Sequence, residues 1–301
     1  MKLLVNKANL DWNFCTLGLN DIIGHLINSG KFEVGYHEEQ VVVDRNFRAT
    51  ILIVEGKRIY VDFWEYSLPT YSKPVWDANF DLIIKLQHRS MTHEDFEREC
   101  SHSKLFQDRT KEERKAFLDK IVPWTFFPSR MMMKYVGKEN ELTPLPTKQL
   151  SFFGGKYWKC RGPMIKKLQE QGIECLQSDR LEYKVAITDD EYLEKMRSSQ
   201  FGVVLAGRRS GFTDSKNRRE IDYMMMKKPL MINYHPLYYN PLVEGKHYIF
   251  IDTNNKLKDL ASMYNIDEMT REAYEWYEHN ATPQGVVESF VQILRERLGI
   301  Q

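Results

Sequence analysis

The chain has 301 residues, of which 42% are hydrophobic and 28% are charged, and this composition excludes a disordered or fibrous protein. Its 43 Lys and Arg residues balance 42 Asp and Glu residues, and a formal net charge of +1 argues against a dedicated nucleic-acid-binding protein. The length exceeds what one compact core usually holds, so we expect two domains.

The sequence also indicates where the protein resides. No apolar run reaches the ~20 residues that a membrane-spanning helix needs, and the first residues become polar too early for a signal peptide. The four cysteines (Cys15, Cys100, Cys160 and Cys175) form no Cys-x-x-Cys pair. They are typical of reduced structural thiols, and a cytoplasmic, soluble protein is the expectation.

A charged segment with two prolines, Glu139–Thr147, divides the sequence into two halves. Prolines stiffen such a segment and prevent regular strand pairing, as in interdomain linkers. We therefore predict an amino-terminal α/β domain over residues 1–145 and a carboxyl-terminal α/β domain over residues 146–301.

The first half predicts an α/β domain with an inserted β-hairpin. In chain order, the apolar patterns predict a strand at 2–6, a helix at 20–30, hairpin strands at 49–54 and 58–63 around Glu55-Gly56-Lys57, a strand at 80–86, a helix at 110–121 and a strand at 123–127.

The second half alternates between strands and helices, which is typical of a parallel sheet covered by helices on both faces. The predicted strands are 151–153, 173–176, 183–187, 201–207, 230–233 and 248–251. The predicted helices are 162–172, 192–198 behind a Thr188/Glu191 capping box, 218–227, 257–264, 268–279 and 283–298.

Ligands of open parallel sheets bind beyond the carboxyl ends of the strands. After the first strand of the second half come Gly154, Gly155 and Lys156, and Arg161 stands at the next helix start. Glycines allow a phosphate to approach the backbone, and a helix start offers free N–H groups. By itself this Gly-Gly turn is weak evidence.

The segment 207–220 is more informative, because five of its fourteen residues are Lys or Arg. Such a local positive excess beside a helix start is suited to a diphosphate, although a solvated surface loop has a similar composition. Glu220 lies in the first turn of the following helix. It can accept hydrogen bonds from sugar hydroxyls or interact with the helix dipole.

The run Arg218-Arg219-Glu220, followed by Lys228–Ile232, Tyr238–Leu242 and Gly245–Ile249, resembles the carboxyl-terminal domain of GT-B-fold glycosyltransferases. It is most similar to the exostosin-like and group 1 sets. The resemblance covers roughly residues 150–300. In size, the chain is similar to the soluble glycosyltransferases of bacteria and of large algal viruses.

The resemblance implies two Rossmann-like domains facing a cleft, the final helices packing back on the first domain, and a nucleotide diphosphate-sugar donor. A UDP-sugar is the commonest such donor, and UDP-xylose is one option. The implied donor-binding residues are Gly154, Gly155, Lys156, Arg161, Tyr183, Val185, Arg208, Arg209, Ser210, Arg218 and Glu220.

In one respect the sequence departs from the retaining members of the group 1 set. Lys228 stands where their second carboxylate would be, eight residues after Glu220. This favours an inverting enzyme. The chain has no Asp-x-Asp element, and the resemblance implies charge neutralisation by Lys and Arg, with no metal or other cofactor.

Inverting transfer requires a general base near the acceptor hydroxyl, and we expect it in the first half. The candidates are Asp11, Asp62, Glu65 and His88, of which position favours Glu65 and His88. Nearby aromatic residues are equally suited to stacking on an acceptor sugar and to core packing: Trp12, Trp64, Tyr66, Tyr71 and Trp76.

The predicted function is transfer of a sugar to an oligosaccharide or other glycan acceptor. Two alternatives stay open at this point. One is a non-hydrolysing nucleotide-sugar epimerase of the same fold, which would act without an acceptor. The other is a non-catalytic carbohydrate-binding protein.

Overall fold

The computed structural model describes residues 1–7, 19–39, 49–62, 73–86, 107–125, 128, 130–142, 149–153, 161–171, 175–176, 188–205, 218–252, 254, 259 and 262–301. The chain divides into two compact units. Unit 1 comprises Met1–Thr125 and Pro283–Gln301, and unit 2 comprises Phe126–Thr282.

The part of unit 1 that the structure describes forms a six-stranded mixed sheet. Its strands are β1 (Lys2–Asn6), β2 (Glu33–His37), β3 (Ala49–Val54), β4 (Lys57–Asp62), β5 (Leu82–Lys85) and β6 (Ile121–Pro123), in the order β2-β1-β3-β4-β5-β6. Strand β3 is antiparallel to both β1 and β4, whereas the other pairs are parallel. The predicted hairpin is therefore confirmed. Its turn residues Glu55 and Gly56 both have positive φ, as a two-residue type I′ hairpin turn requires.

The helices of unit 1 are α1 (Leu19–Asn28), α2 (Lys73–Asp77), α3 (Lys111–Asp119) and, from the end of the chain, α9 (Pro283–Leu298). Thr110 and Glu113 form a capping box that begins α3. On one face of the sheet, Trp76 of α2 stacks on Phe117 of α3 with their ring centroids 4.0 Å apart. These rings belong to a buried apolar cluster that includes Tyr60 and Phe80.

Helix α9 packs into unit 1 through buried side chains on one of its faces. The ring centroid of Phe290 lies 5.2 Å from that of Trp124 and 6.1 Å from that of Phe32. The Trp124 Nε1–H donates to the Ser289 hydroxyl at 2.8 Å, so the indole is both buried and hydrogen-bonded. The carboxyl-terminal helix is thus part of the core of unit 1.

The described residues of unit 2 form a five-stranded sheet in which every pair is parallel. Its strands are β7 (Gln149–Phe153), β8 (Cys175–Leu176), β9 (Ser199–Val204), β10 (Leu230–Ile232) and β11 (Ile249–Phe250), in the order β11-β10-β9-β7-β8. Strand β9 is almost continuously buried, as expected of a strand covered on both faces.

The longer helices of unit 2 are α5 (Arg161–Glu170), α6 (Asp189–Ser198), α7 (Arg218–Met225) and α8 (Ile266–Asn280). A four-residue helix, α4 (Arg130–Met133), and a 3₁₀ turn (Glu139–Leu142) precede them. The predicted capping box of Thr188 and Glu191 is present at the start of α6.

Helix α7 lies very close to β9 at one point. A Cβ atom on Gly202 would lie 2.3–2.7 Å from ring atoms of Tyr223, a separation that atoms do not tolerate. Glycine at this position therefore allows the Tyr223 ring to pack against the sheet. On the other face, Phe201 and Val203 pack with residues of α5 and α8.

The α/β class predicted from the sequence is confirmed, with shifts at element ends. The last strand of unit 1 is Ile121–Pro123, not 123–127, because Ile121 and Val122 are the buried residues that pair with β5. Helix α5 begins at Arg161, one residue before the predicted start at residue 162. The strand predicted at 183–187 lies outside the described residues, as does half of the helix predicted at 257–264.

Candidate functional site

The carboxyl ends of the strands of unit 2 share one edge of the sheet, because all the strand pairs are parallel. Ligands of such sheets bind at this edge. Helix α7 begins there after the connection from β9, and Glu220 lies in its first turn. The segment that follows β10 supplies most of the other polar groups described below.

Glu220 is the centre of a buried hydrogen-bond cluster. The Tyr234 hydroxyl donates to Glu220 Oε1, and the Tyr238 hydroxyl donates to Oε2 at 2.5 Å. Glu220 has no solvent exposure, and both tyrosines are buried. A buried carboxylate is costly unless each oxygen accepts hydrogen bonds, and the two hydroxyls meet this need. The cluster therefore joins the segment after β10 to α7.

The carboxylate also affects the tyrosines around it. Burial, together with the charge and hydrogen bond of Glu220, raises the pKa of Tyr238 well above its usual value. Burial, Glu244 and Glu220 raise the pKa of Tyr248 to about 12. Both hydroxyls consequently keep their protons at neutral pH and act as hydrogen-bond donors.

His235 extends this cluster to the surface. Its ring is exposed and stacks on Phe250, with a centroid distance of 4.8 Å and an interplanar angle of 9°. Its Nδ1 lies 2.8 Å from the hydroxyl of Tyr248. His235 comes three residues after the end of β10, so an oriented imidazole lies on the carboxyl side of that strand.

Helix α8 supports the same segment from within unit 2. The rings of Trp276 and Tyr238 meet edge to face, with their centroids 4.9 Å apart. The Trp276 Nε1–H donates to the carbonyl of Asn240 at 3.0 Å. The Asn240 side-chain amide donates to Asn280 Oδ1 at 2.6 Å. These contacts fix the backbone that carries Tyr234, His235 and Tyr238.

Lys228, which replaces the second carboxylate of retaining group 1 enzymes, has a different environment. Its ammonium donates to the carbonyls of Arg197 and Ser199, each at 2.6 Å, at the end of α6. Burial and the nearby Arg197 lower the pKa of Lys228 to about 8. The side chain therefore caps a helix at the amino side of β9 and lies away from the carboxyl edge.

In unit 1, the candidate base Asp62 forms a buried ion pair. Lys85 Nζ lies 2.9 Å from Asp62 Oδ2, and both side chains are almost fully buried. The two residues are paired across the parallel strands β4 and β5 at their carboxyl ends. Breaking such a pair would leave an uncompensated buried charge, so the arrangement is structurally important.

The structure describes only part of the predicted site. Arg161 and Arg218 are the first residues of α5 and α7, and Glu220 and Asp62 lie as stated above. The remaining predicted site residues lie outside the described residues: Asp11, Glu65, His88, Gly154, Gly155, Lys156, Tyr183, Val185, Arg208, Arg209 and Ser210.

The sequence analysis did not assign a role to Tyr234, His235 or Tyr248. Their signal in the sequence is position alone. Tyr234 and His235 come two and three residues after β10, a buried strand whose carboxyl end lies at the ligand edge, and Tyr248 directly precedes β11. Hydroxyl contacts with Glu220 depend on the path of the chain after β10, which no local pattern specifies.

A groove of about 590 Å³ lies at the opposite, amino edge of the same sheet. Residues of β9, of the α7–β10 connection and of α8 line it, among them Gln200, Lys227, Pro229 and Asp267. This groove is separate from the Glu220 cluster, because the strands run between the two edges.

Among the described residues, no group of three His, Cys, Asp or Glu side chains is placed to hold a metal ion. Metal independence stays a prediction. Within the same ranges, no helix combines the length and the apolar character that crossing a membrane requires.

No protein-family model matches the chain, and no curated protein matches its sequence. Among solved structures, a glycosyltransferase from Rickettsia africae ESF-5 is similar, with a TM-score of 0.40 and 12% sequence identity. The match covers 73% of this chain and 64% of that protein.

Proposed function

We propose that this protein is a glycosyltransferase that transfers a sugar from a nucleotide diphosphate-sugar to a carbohydrate acceptor. The main support is the position of Glu220. It lies in the first turn of a helix at the carboxyl edge of a fully parallel sheet, directly after the cation-rich segment 207–219. This is the combination that the resemblance to GT-B enzymes implies.

In this proposal the diphosphate binds to backbone N–H groups and cations that follow β7 and β9. The cations are Lys156, Arg161, Arg208, Arg209 and Arg218, and the small residues Gly154, Gly155 and Ser210 allow close approach. The donor is a UDP-sugar, and its base lies against the region of Tyr183 and Val185. These cations neutralise the leaving diphosphate in place of a metal ion.

Glu220 is retained as the acidic residue of the donor site. The structure buries its carboxylate completely, and both oxygens already accept tyrosine hydroxyls. A ribose or sugar hydroxyl reaches this carboxylate only if the ligand enters beneath the tyrosines. Direct contact between Glu220 and the donor therefore stays a prediction.

The general base belongs to the first half of the chain in this proposal. Asp62 is fully buried and ion-paired with Lys85, an arrangement poorly suited to removing a proton from an acceptor hydroxyl. We therefore favour Glu65 or His88 for this role over Asp62, with Asp11 as the remaining candidate. Inverting chemistry, a GT-B cleft, a cytoplasmic location and a role in glycan biosynthesis belong to the same proposal.

Calorimetric titration with uridine diphosphate tests the donor site. The double variant Arg208→Ala/Arg209→Ala loses two cations of the proposed site, and we expect affinity to fall at least about tenfold, since each charge-assisted hydrogen bond contributes ~1.5–3 kcal/mol. Lys111→Ala/Lys115→Ala removes the same charge from exposed positions on α3 and should bind as the wild type does.

Unchanged binding by the Arg208/Arg209 variant would refute this site. Activity is then measured with a UDP-sugar in the presence and absence of glycan acceptors. The proposal predicts release of uridine diphosphate that depends on acceptor. Epimerised donor formed without acceptor would instead identify an epimerase, and nucleotide binding with no turnover of any donor would identify a binding protein.

A further inference from the structure

The exposed imidazole of His235 lies at the carboxyl edge of the second sheet in a fixed orientation, and its chemistry is determined by Tyr248. Tyr248 is only 2% exposed, so its hydroxyl cannot rely on water for hydrogen bonds. Among the described residues, His235 is the one hydrogen-bond partner of this hydroxyl. The direction of that bond decides which ring nitrogen of His235 carries the proton.

Two directions are available for the bond between Tyr248 and Nδ1. If Nδ1–H donated to the tyrosine oxygen, the buried hydroxyl proton would have no acceptor, at a cost of roughly 1–3 kcal/mol. If the hydroxyl donates to Nδ1, it is satisfied. The raised pKa of Tyr248 agrees with a hydroxyl that keeps its proton. The neutral imidazole therefore carries its proton on Nε2.

This assignment makes Nε2 a permanent hydrogen-bond donor. In the neutral ring Nε2 is protonated because Nδ1 accepts, and in the imidazolium both nitrogens are protonated. Among the described residues, no group accepts from Nε2, and the stacking on Phe250 holds the ring in place. His235 therefore presents a donor to solvent and is unsuited to act there as a general base.

We propose that His235 is a further ligand-binding residue, and that its Nε2–H donates to a phosphate oxygen of the nucleotide. A phosphate oxygen only accepts hydrogen bonds. A sugar hydroxyl also carries a proton, for which it needs an acceptor. The nearby hydroxyls of Tyr234 and Tyr238 already donate to Glu220, which leaves Nε2–H as the available donor of this cluster. The inference rests on the proposed function, since it takes a nucleotide diphosphate as the ligand.

The first test compares the affinities of uridine diphosphate and uridine for His235→Ala. We expect the affinity for uridine diphosphate to fall about tenfold, the usual effect of one hydrogen bond to a charged group, and the affinity for uridine to stay unchanged. The control is His279→Ala, because His279 is also exposed but its Nδ1 contacts the carbonyl of Glu275 in its own helix. That variant should bind uridine diphosphate as the wild type does.

The second test begins with the wild-type protein, so its main result does not depend on the folding of a variant. Nitrogen-15 NMR of the histidine side chains should show the Nε2–H tautomer for His235, and its Nε2 resonance should shift when uridine diphosphate is added. In Tyr248→Phe the ring keeps its neighbours but loses the hydroxyl, and the tautomer preference should weaken.

The outcomes separate the two levels of the proposal. If the wild type binds uridine diphosphate and His235→Ala binds it equally well, the role of His235 is refuted and the proposed function stands. An equal loss of affinity for uridine, or an Nδ1–H tautomer, also refutes the phosphate contact. If the wild type binds no nucleotide diphosphate, both the function and this inference fail.

Discussion

At the scale of single residues, the hydrogen bonds of Glu220 have the clearest energetic consequence. One buried carboxylate accepts two buried tyrosine hydroxyls, and these three side chains connect α7 with the segment that carries His235. Removal of one donor leaves a lone pair of a buried charge unsatisfied, which costs more than loss of an exposed hydrogen bond.

We therefore predict that Tyr238→Phe lowers the free energy of unfolding by roughly 2 kcal/mol, the range for hydrogen bonds to charged groups. Tyr264→Phe is the matched control, because Tyr264 packs half-buried against the core of the same unit and no hydroxyl contact is found for it among the described residues. Urea denaturation of the two variants gives the comparison. Equal, small losses in both would show that the Glu220 cluster contributes little to stability.

At the scale of secondary-structure elements, Lys228 connects the carboxyl-terminal ends of α7 and α6. Two residues after the end of α7, Lys227 has a φ of +53°, and the N–H of Lys228 donates to the carbonyl of Tyr223 at 3.0 Å. The side chain of Lys228 then donates to the last carbonyls of α6. Lys228 occupies the position of the second carboxylate of retaining group 1 enzymes, and the structure places its side chain at this helix end.

This placement predicts a specific dependence of stability on pH. The pKa of Lys228 is about 8 in the folded chain, against about 10.4 for an unfolded lysine. Between these values the unfolded chain binds more protons, so the contribution of Lys228 to the free energy of unfolding rises with pH. In Lys228→Met this contribution is absent.

The measurement is urea denaturation of the wild type and Lys228→Met between about pH 7 and pH 10. The stability of the wild type relative to the variant should rise as the pH passes 8. Lys166→Met serves as the control, since the Lys166 side chain is 79% exposed. The stability of this variant relative to the wild type should not change with pH. A constant difference for Lys228→Met as well would contradict the assigned environment.

At the scale of the whole molecule, the sequence predicts the helices and strands better than the contacts between them. The alternation of apolar runs and caps predicted most strands of both sheets, the hairpin at Glu55-Gly56 and the capping box of Thr188, because these features depend on local periodicity and local hydrogen bonds. The ends of β6 and α5 were misplaced by one to four residues, since final pairing and burial determine them.

The composition of each site depends on contacts between distant residues and was less predictable. The Asp62–Lys85 pair joins residues 23 apart, and Trp124 bonds Ser289 across 165 residues. Glu220 was identified from its position in the first turn of a helix. Its tyrosine partners and His235 were not assigned, because their proximity follows from the course of the chain after β10 and not from spacing in the sequence.

The central claim is that a nucleotide diphosphate binds at the carboxyl edge of the five-stranded sheet. A crystal structure of the protein soaked with uridine diphosphate tests it most directly. The account predicts the diphosphate beyond the ends of β7, β9 and β10, on the side of Glu220 and His235. The claim is contradicted if the diphosphate lies in the opposite groove near Lys227 and Asp267, or if a concentration that saturates the protein in solution leaves the carboxyl edge without ligand.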